Sequence, residues 1–428
     1  MKFIVQILLL GLAGTAWAQL PADSSRNGVP NPLLQSDTIH LSLATAQELA
    51  VERNSALLGA SYRLHAAEAD TVGARLVPNP QLSVNTSYVN LLGRPIDFST
   101  SSNSLRLDQV IQLGGKRGYR IETAEESVAA VRADFVNQIF QTRADVKDSY
   151  IDAAYAQKQI ELAQESYDLF ARLVDASQIR LKAGDIGEQD VTKLLLTELT
   201  FRQALSDAQQ SLIDALARLR QTVHLDANRP VRIDYQFQPT SPVYVSDTLH
   251  AIALRSRADL WAQEHRVLSA EHQTHLAKAN AWPDLDVGVE LDRQGPDFKN
   301  YFGGGIGIAI PLFSRNQDDI MRTDANYRAS QYDLQSVELS IHNDVATAYA
   351  KYESSLSVLG GYPNKMVDLA GDIRTVAMNN YTKGHISLLD LLESQRIYND
   401  AIQNYYSALY KLAKNQTLLE RAVGVQLF

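Results

Sequence analysis

No cysteine occurs among the 428 residues. That absence excludes disulfides, thiolate metal sites and a cysteine nucleophile, together with the N-terminal cysteine that a lipoprotein needs for acylation. Long apolar runs are equally scarce. Beyond the N-terminus no stretch approaches the ~20 apolar residues that a spanning helix requires, so any insertion into a bilayer must use strands. Positive charge is not in excess either: the formal net charge is -9, without the basic patches that nucleic acid demands. There is no nucleophile-base-acid constellation, and Gly303-Gly304-Gly305 opens a strand-like segment rather than the strand-to-helix turn of a phosphate loop. Finally, glycine and proline are missing throughout residues 119–183, a stretch that as a helix makes a rod of roughly 100 Å.

What is present begins with an export signal. Lys2 precedes the apolar residues 3–13, and Ala16-Trp17-Ala18 offers the small side chains that signal peptidase needs, so residues 1–18 read as a signal peptide cleaved before Gln19. Residues 19–40 read as a linker. After it the chain repeats itself at a spacing of about 200 residues. Pro80-Gln81-Leu82-Ser83-Val84 recurs as Pro283-Asp284-Leu285-Asp286-Val287, Ile111-Gln112-Leu113 as Ile310-Pro311-Leu312, and Lys182-Ala183-Gly184-Asp185-Ile186 as Thr382-Lys383-Gly384-His385-Ile386. Residues 41–223 and 248–425 are therefore expected to be two copies of one module, with a linker over 224–247.

Each copy alternates two kinds of pattern. Apolar residues at helical spacing, such as Val128, Val131, Phe135, Ile139, Val146, Tyr150 and Ala154, predict a long helix, with further helices over 188–223, 312–359 and 385–423. On the last of these, Ile397, Ala401, Tyr405, Ala408, Leu412 and Leu419 are expected on one face. Rods of this length must pack along one another in the manner of a coiled coil. Gly360-Gly361-Tyr362-Pro363 should break the rod of the second copy. Four short segments instead have period two: residues 81–88, 104–111, 284–292 and 302–310. The clearest sets Leu285, Val287, Val289 and Leu291 against Asp284, Asp286, Gly288, Glu290 and Asp292. Such segments suit transmembrane strands around a watery lumen, and equally a soluble sheet with one wet face.

Paired through loops at 92–103 and 293–300, these segments make two hairpins. Four strands cannot close a barrel, and an open edge in lipid leaves backbone groups unsatisfied, so a membrane reading requires other chains to complete the ring. Two other readings of the same residues stay open, a periplasmic helical binding protein and a structural coiled-coil spacer.

With the duplicated order of strand hairpin, long helix, glycine turn and helix, residues 41–425 resemble the TolC-type outer-membrane efflux proteins, the outer-membrane factors, a family with a metal-efflux branch. The most specific marks are the two turns, Lys182-Ala183-Gly184-Asp185-Ile186-Gly187-Glu188-Gln189-Asp190 and Tyr381-Thr382-Lys383-Gly384-His385-Ile386-Ser387-Leu388-Leu389-Asp390. The resemblance implies a mixed fold, in which a homotrimer closes one outer-membrane β-barrel from four strands per chain and continues it as a long periplasmic α-helical barrel. It implies a passive, non-enzymatic duct for small molecules or metal ions, without a cofactor, that works with a periplasmic adaptor protein and an inner-membrane pump. It also implies site roles. Gly184, Asp185, Ile186, Gly187, Gly384, His385, Ile386 and Ser387 match the tips that dock the adaptor, while Asp390 and Glu393, three apart on one helical face, match the acidic periplasmic gate. Tyr381 and Asp190 match members of the closing clasp, whose arginine is replaced here by Ile386. His272 and His275, with His265 one heptad earlier, have a spacing that suits metal, but no carboxylate cluster completes a four-ligand site, and Glu271 projects roughly 100° away from His272.

Overall fold

The computed structural model describes residues 39–87, 102–226, 230–238, 242–294, 299–363 and 365–428. The expected signal peptide, nearly all of the N-terminal linker and the tips of both hairpin loops lie outside the described residues. The first copy runs β1 (Ile39–Leu41), α1 (Leu43–Arg53), α2 (Ser55–Arg75), β2 (Gln81–Ser87), β3 (Ser102–Ile111), α3 (Lys116–Ala183) and α4 (Glu188–Val223). After β4 (Val231–Ile233) the second runs α5 (Ser246–Ser256), α6 (Ala258–Asn280), β5 (Leu285–Gln294), β6 (Lys299–Ile308), α7 (Gln317–Gly360), α8 (Met366–Thr382) and α9 (Leu388–Val423). The 68-residue rod of α3 thus has its counterpart in α7 and α8, parted at Gly361-Tyr362-Pro363 as the helix-breaking residues require.

The described residues form a plank four elements wide. Four antiparallel strands lie in the order β2-β3-β5-β6, so the two hairpins join through β3 and β5 and leave β2 and β6 as edges. Since α2 leads into β2, β3 into α3, α6 into β5 and β6 into α7, the helices inherit that order: α2 packs on α3, α3 on α6, and α6 on α7. Farther from the sheet the order is α4, α3, α9, α8.

Around the middle of the rods each copy adds a girdle. In the first, β1 pairs with β4 in parallel, and buried Tyr150 of α3 donates its hydroxyl to Leu41 O (2.7 Å) and accepts from Asp234 N (3.1 Å). Its counterpart Tyr352 is buried in the second copy's core and donates to Pro242 O at 2.5 Å. A buried ion pair ties the copies together: Lys147 Nζ of α3 lies 2.6 Å from Glu420 Oε2 of α9, while Glu420 Oε1 accepts from the backbone N–H groups of Leu427 and Phe428. Breaking such a pair by removing one partner strands a buried charge.

The α9 face differs from expectation in its lower half. Ile397 is 49% exposed, and the buried positions of that half are Leu388, Leu391, Gln395, Tyr398 and Ile402, whereas Ala408, Leu412 and Leu419 are buried as expected. The five residues of the lower half alternate three- and four-residue steps, a heptad seam with a period of 3.5 residues. A face drawn in four-residue steps from Ile397 drifts off such a seam by one position.

Candidate functional site: the twin turns and the acidic helix start

The two glycine turns are the same structure built twice. Gly184 and Gly384 both hold φ in the left-handed region, at +82° and +75°, where a side chain is strained and glycine is not. Gly184 N donates to Leu181 O and Asp185 N to Arg180 O, at 3.0 and 2.9 Å; Gly384 N donates to Tyr381 O and His385 N to Asn380 O, at 2.9 and 2.8 Å. Identical bonds therefore satisfy the last carbonyls of α3 and α8. A Cβ added at Gly184, Gly187 or Gly384 would meet nothing within 4 Å. Asp185, Gly187, His385 and Ser387 are exposed, and Ile186 and Ile386 half-buried.

Beneath the turns one apolar cluster joins all four rod ends. Phe170, Leu173 and Val174 of α3 meet Leu194 of α4, Ala377 and Tyr381 of α8, and Leu388 and Leu391 of α9, with Ile386 packed against them. Tyr381 is thus a core residue within the chain, only 7% exposed, with the Arg180 guanidinium 6.0 Å from its ring centroid. Asp190 lies apart from it in the first turn of α4, half-buried and 3.9 Å from Lys193; neither of the two hydrogen-bonds the other. Ile386, at the arginine position of the clasp, serves packing. Cations of this region with an aromatic partner include Arg180 and also Arg374, which pairs with Glu165 and lies 4.2 Å from the Tyr398 ring centroid.

The two acids of α9 are both engaged. Asp390 closes a capping box, accepting from Ser387 N (3.1 Å) and Ser387 Oγ (2.8 Å) while its own N–H donates to Ser387 Oγ. In the first copy Gly187 holds the Ser387 position, and α4 has no side-chain cap there. Glu393 is gripped by Arg396, whose Nη2 and Nε lie 2.7 and 3.0 Å from its two carboxylate oxygens, and Arg396 Nη1 reaches Asp400 at 2.9 Å. The Arg396 hydrogen bond holds the Glu393 carboxyl below its usual range. This exposed face of α9 therefore carries Glu393 and Asp400 on either side of one arginine, with Asp390 bound to Ser387 at the helix start. The sequence signal for Arg396 was available, since a glutamate and an arginine three apart on a helix pair readily.

Two of the three histidines of α6 find carboxylates that their own neighbours in sequence do not supply. His265 Nδ1 is 2.6 Å from Glu126 Oε2, His272 Nδ1 is 3.1 Å from Glu122 Oε2 without hydrogen-bond alignment, and His275 meets the edge of the Tyr119 ring. All three partners belong to α3. Among the described residues no group of three or more histidine, cysteine or carboxylate side chains could hold a metal ion.

The sheet completes the geometry. By register, Leu82, Val84, Leu105, Leu107, Val289, Leu291, Phe302 and Ile306 share one face, and Ser83, Arg106, Asp108, Asp286 and Glu290 share the other. The apolar face is open, with Val84 70% and Ile306 76% exposed. Among the described residues no helix is long and apolar enough to cross a membrane.

Residues 46–223 and 249–425 match the family model described as outer membrane efflux protein. The chain belongs to that family. Like other outer membrane efflux proteins, it is an efflux channel of the outer membrane, with its helical part in the periplasm and a TolC-type fold. Among curated relatives, the cobalt-zinc-cadmium resistance protein CzcC of Cupriavidus metallidurans is 25% identical over 390 residues, which is 90% of each chain. Nodulation protein T of Rhizobium leguminosarum is 24% identical over 392 residues, 87% of this chain and 80% of its own. Among solved structures, the outer membrane protein VceC of Vibrio cholerae superposes with a TM-score of 0.72 at 17% identity, covering 90% of this chain and 96% of its own. The MtrE channel of Neisseria gonorrhoeae does so with a TM-score of 0.71 at 21% identity, covering 90% and 89%.

Proposed function

We propose that this efflux channel works as a homotrimer, a passive duct without catalysis that receives its cargo from an inner-membrane pump through a periplasmic adaptor. The observation that carries the trimer is the open sheet. A barrel in lipid tolerates no edge, β2 and β6 are both edges within the chain, and three copies of four strands, joined β2 to β6, remove them all. The helical plank has the same two free sides, α2 and α4 on one and α7 and α8 on the other, so the joint that closes the barrel also closes the helical tunnel. Because the chain supplies no energy source, transport is driven from the partner. Small molecules or metal ions are the proposed cargo. CzcC and CnrC of Cupriavidus metallidurans are named for resistance to metals, whereas OpmQ of Pseudomonas putida is named for pyoverdine export.

The twin turns are the proposed docking tips. Gly184, Asp185, Ile186, Gly187, Gly384, His385, Ile386 and Ser387 offer a small, largely exposed surface at the rod ends, with room around each glycine. Asp390 and Glu393 just above them are the proposed periplasmic gate, with Arg396 as its internal counter-ion. Asp190 takes part as an acid of the same ring of helix starts. Tyr381 acts on the gate through the core that positions α8 and α9 rather than through the lumen. Native mass spectrometry of the detergent-extracted protein tests the assembly. Trimers, without a membrane-inserted monomer, are expected; a stable monomer that conducts in bilayers would overturn the proposal.

A further inference from the structure

The polar face of the sheet carries charge of both signs, and the negative charge is in excess. Asp108 of β3 and Asp286, Glu290 and Asp292 of β5 lie on it, against Arg106 at mid-strand and Lys299 at the outer end of β6. Because the opposite face is apolar and exposed, this face lines the water-filled lumen once the barrel is in lipid.

Arg106 has a specific posture there. Its Nε lies 2.8 Å from both carboxylate oxygens of Asp108, two residues along the same strand and hence on the same face, and its Nη1 is 3.9 Å from Glu290 Oε2. The pair lies across Gly288 of the neighbouring strand. A Cβ built on Gly288 would overlap Asp108 Oδ1 and come within 3.1 Å of Arg106 Nη2, so only glycine lets the pair lie flat. Gly303, Gly305 and Gly307 continue the same face on β6 without side chains. A guanidinium standing upright at this level would project into the bore; flat on a glycine floor it stays against the wall. One oxygen of Asp286 is buried on this face without a hydrogen-bond partner.

We propose that Arg106, laid flat over Gly288 by Asp108, is a specificity-determining residue of the barrel lumen: it sets how much of the acidic charge of the wall a permeating solute meets. In a ring of three chains the three guanidinium groups form one positive level among acidic ones. Charge selection then takes place in the barrel as well as at the periplasmic gate, and the two act in series. The inference rests on the barrel reading, and its test must separate the two.

The absence of cysteine supplies the probe. Ser83 pairs directly with Arg106 on the same face, so Ser83→Cys places the one thiol of the chain beside the guanidinium, and its rate of modification reads the local potential whatever the gate does. Rates are compared for a cationic and an anionic methanethiosulfonate reagent on trimers in outer-membrane vesicles. At a separation near 6 Å in screened water, loss of a unit positive charge should raise the cationic-to-anionic rate ratio by about threefold. Arg106→Gln in the Ser83→Cys background is expected to show that rise. Gly288→Val, which lifts the pair without removing charge, is expected to slow both reagents together. An unchanged ratio in Arg106→Gln, with the introduced thiol reacting at its normal rate, contradicts the role of Arg106 alone. If the thiol of Ser83→Cys resists aqueous reagents while that of Leu105→Cys, on the other face, accepts them, the lumen assignment itself is wrong.

Discussion

At the scale of single residues, the acidic start of α9 is a balance rather than a bare ring of carboxylates. Asp390 turns one carboxylate oxygen, Oδ2, to the backbone N–H and hydroxyl of Ser387, and Glu393 shares Arg396 with Asp400. Exposed pairs of this kind add little to stability, yet in a confined ring they decide the net charge that a permeating ion meets. Removing Arg396 should therefore act in the opposite direction to removing Glu393. Arg396→Gln is expected to strengthen cation selectivity and block by multivalent cations in planar-bilayer recordings, whereas Asp390→Asn with Glu393→Gln should weaken both. The pH dependence follows from the same contact. Because Arg396 depresses the Glu393 pKa, the carboxylate charge persists below the ordinary glutamate range and is lost only as pH falls through the lowered value. Block by multivalent cations should thus survive to lower pH in the wild type than in Arg396→Gln. Recordings in which the two proteins lose block at the same pH would return Arg396 to a plain surface role.

At the scale of elements, the sequence marked some boundaries to the residue and others only nearby. The helix expected over 188–223 is α4, and the four period-two segments are the four strands of the sheet, because alternation and the glycine turn are local signals. The helix expected from residue 312 begins instead at Gln317, since Asn316 takes a left-handed conformation, φ +57°, and donates its side chain to Ala277 O. Periodicity in Phe313 and its neighbours could not show that contact with α6. The same limit hid Glu122 and Glu126 of α3 from the histidine reading: a helical face is legible in one stretch of chain, but the helix that it meets is fixed by topology. The twin turns belong to this scale too. A β-branched residue at φ near +80° costs at least ~1–2 kcal/mol locally, whereas asparagine tolerates that conformation better. Gly384→Val is therefore expected to reduce export with trimer yield intact. Gly384→Asn separates the turn from the surface: export should still fall if the adaptor reads the tip, because a side chain now stands where there was none. Normal export in Gly384→Asn, at normal protein level, would leave the glycine as a helix terminator only.

At the scale of the whole molecule, one order of four elements runs from the sheet to the rod ends, and a chain duplicated in sequence is also duplicated in its edges. Among the described residues the same two sides form the edges at every level, β2 with α2 and α4, β6 with α7 and α8. One kind of joint, made three times, closes barrel and tunnel together. Its most direct test is cysteine cross-linking across the edges in this cysteine-free chain, with one cysteine on β2 at Ser83 or Asn85 and one on β6 at Gly303 or Gly305. Within a chain these strands are three strand spacings apart, about 14 Å, too far for a disulfide. Oxidation in the native outer membrane is therefore predicted to give covalent dimers and trimers and nothing larger. A cross-link confined to monomers, or a ladder running beyond the trimer, would contradict closure by three chains joined β2 to β6.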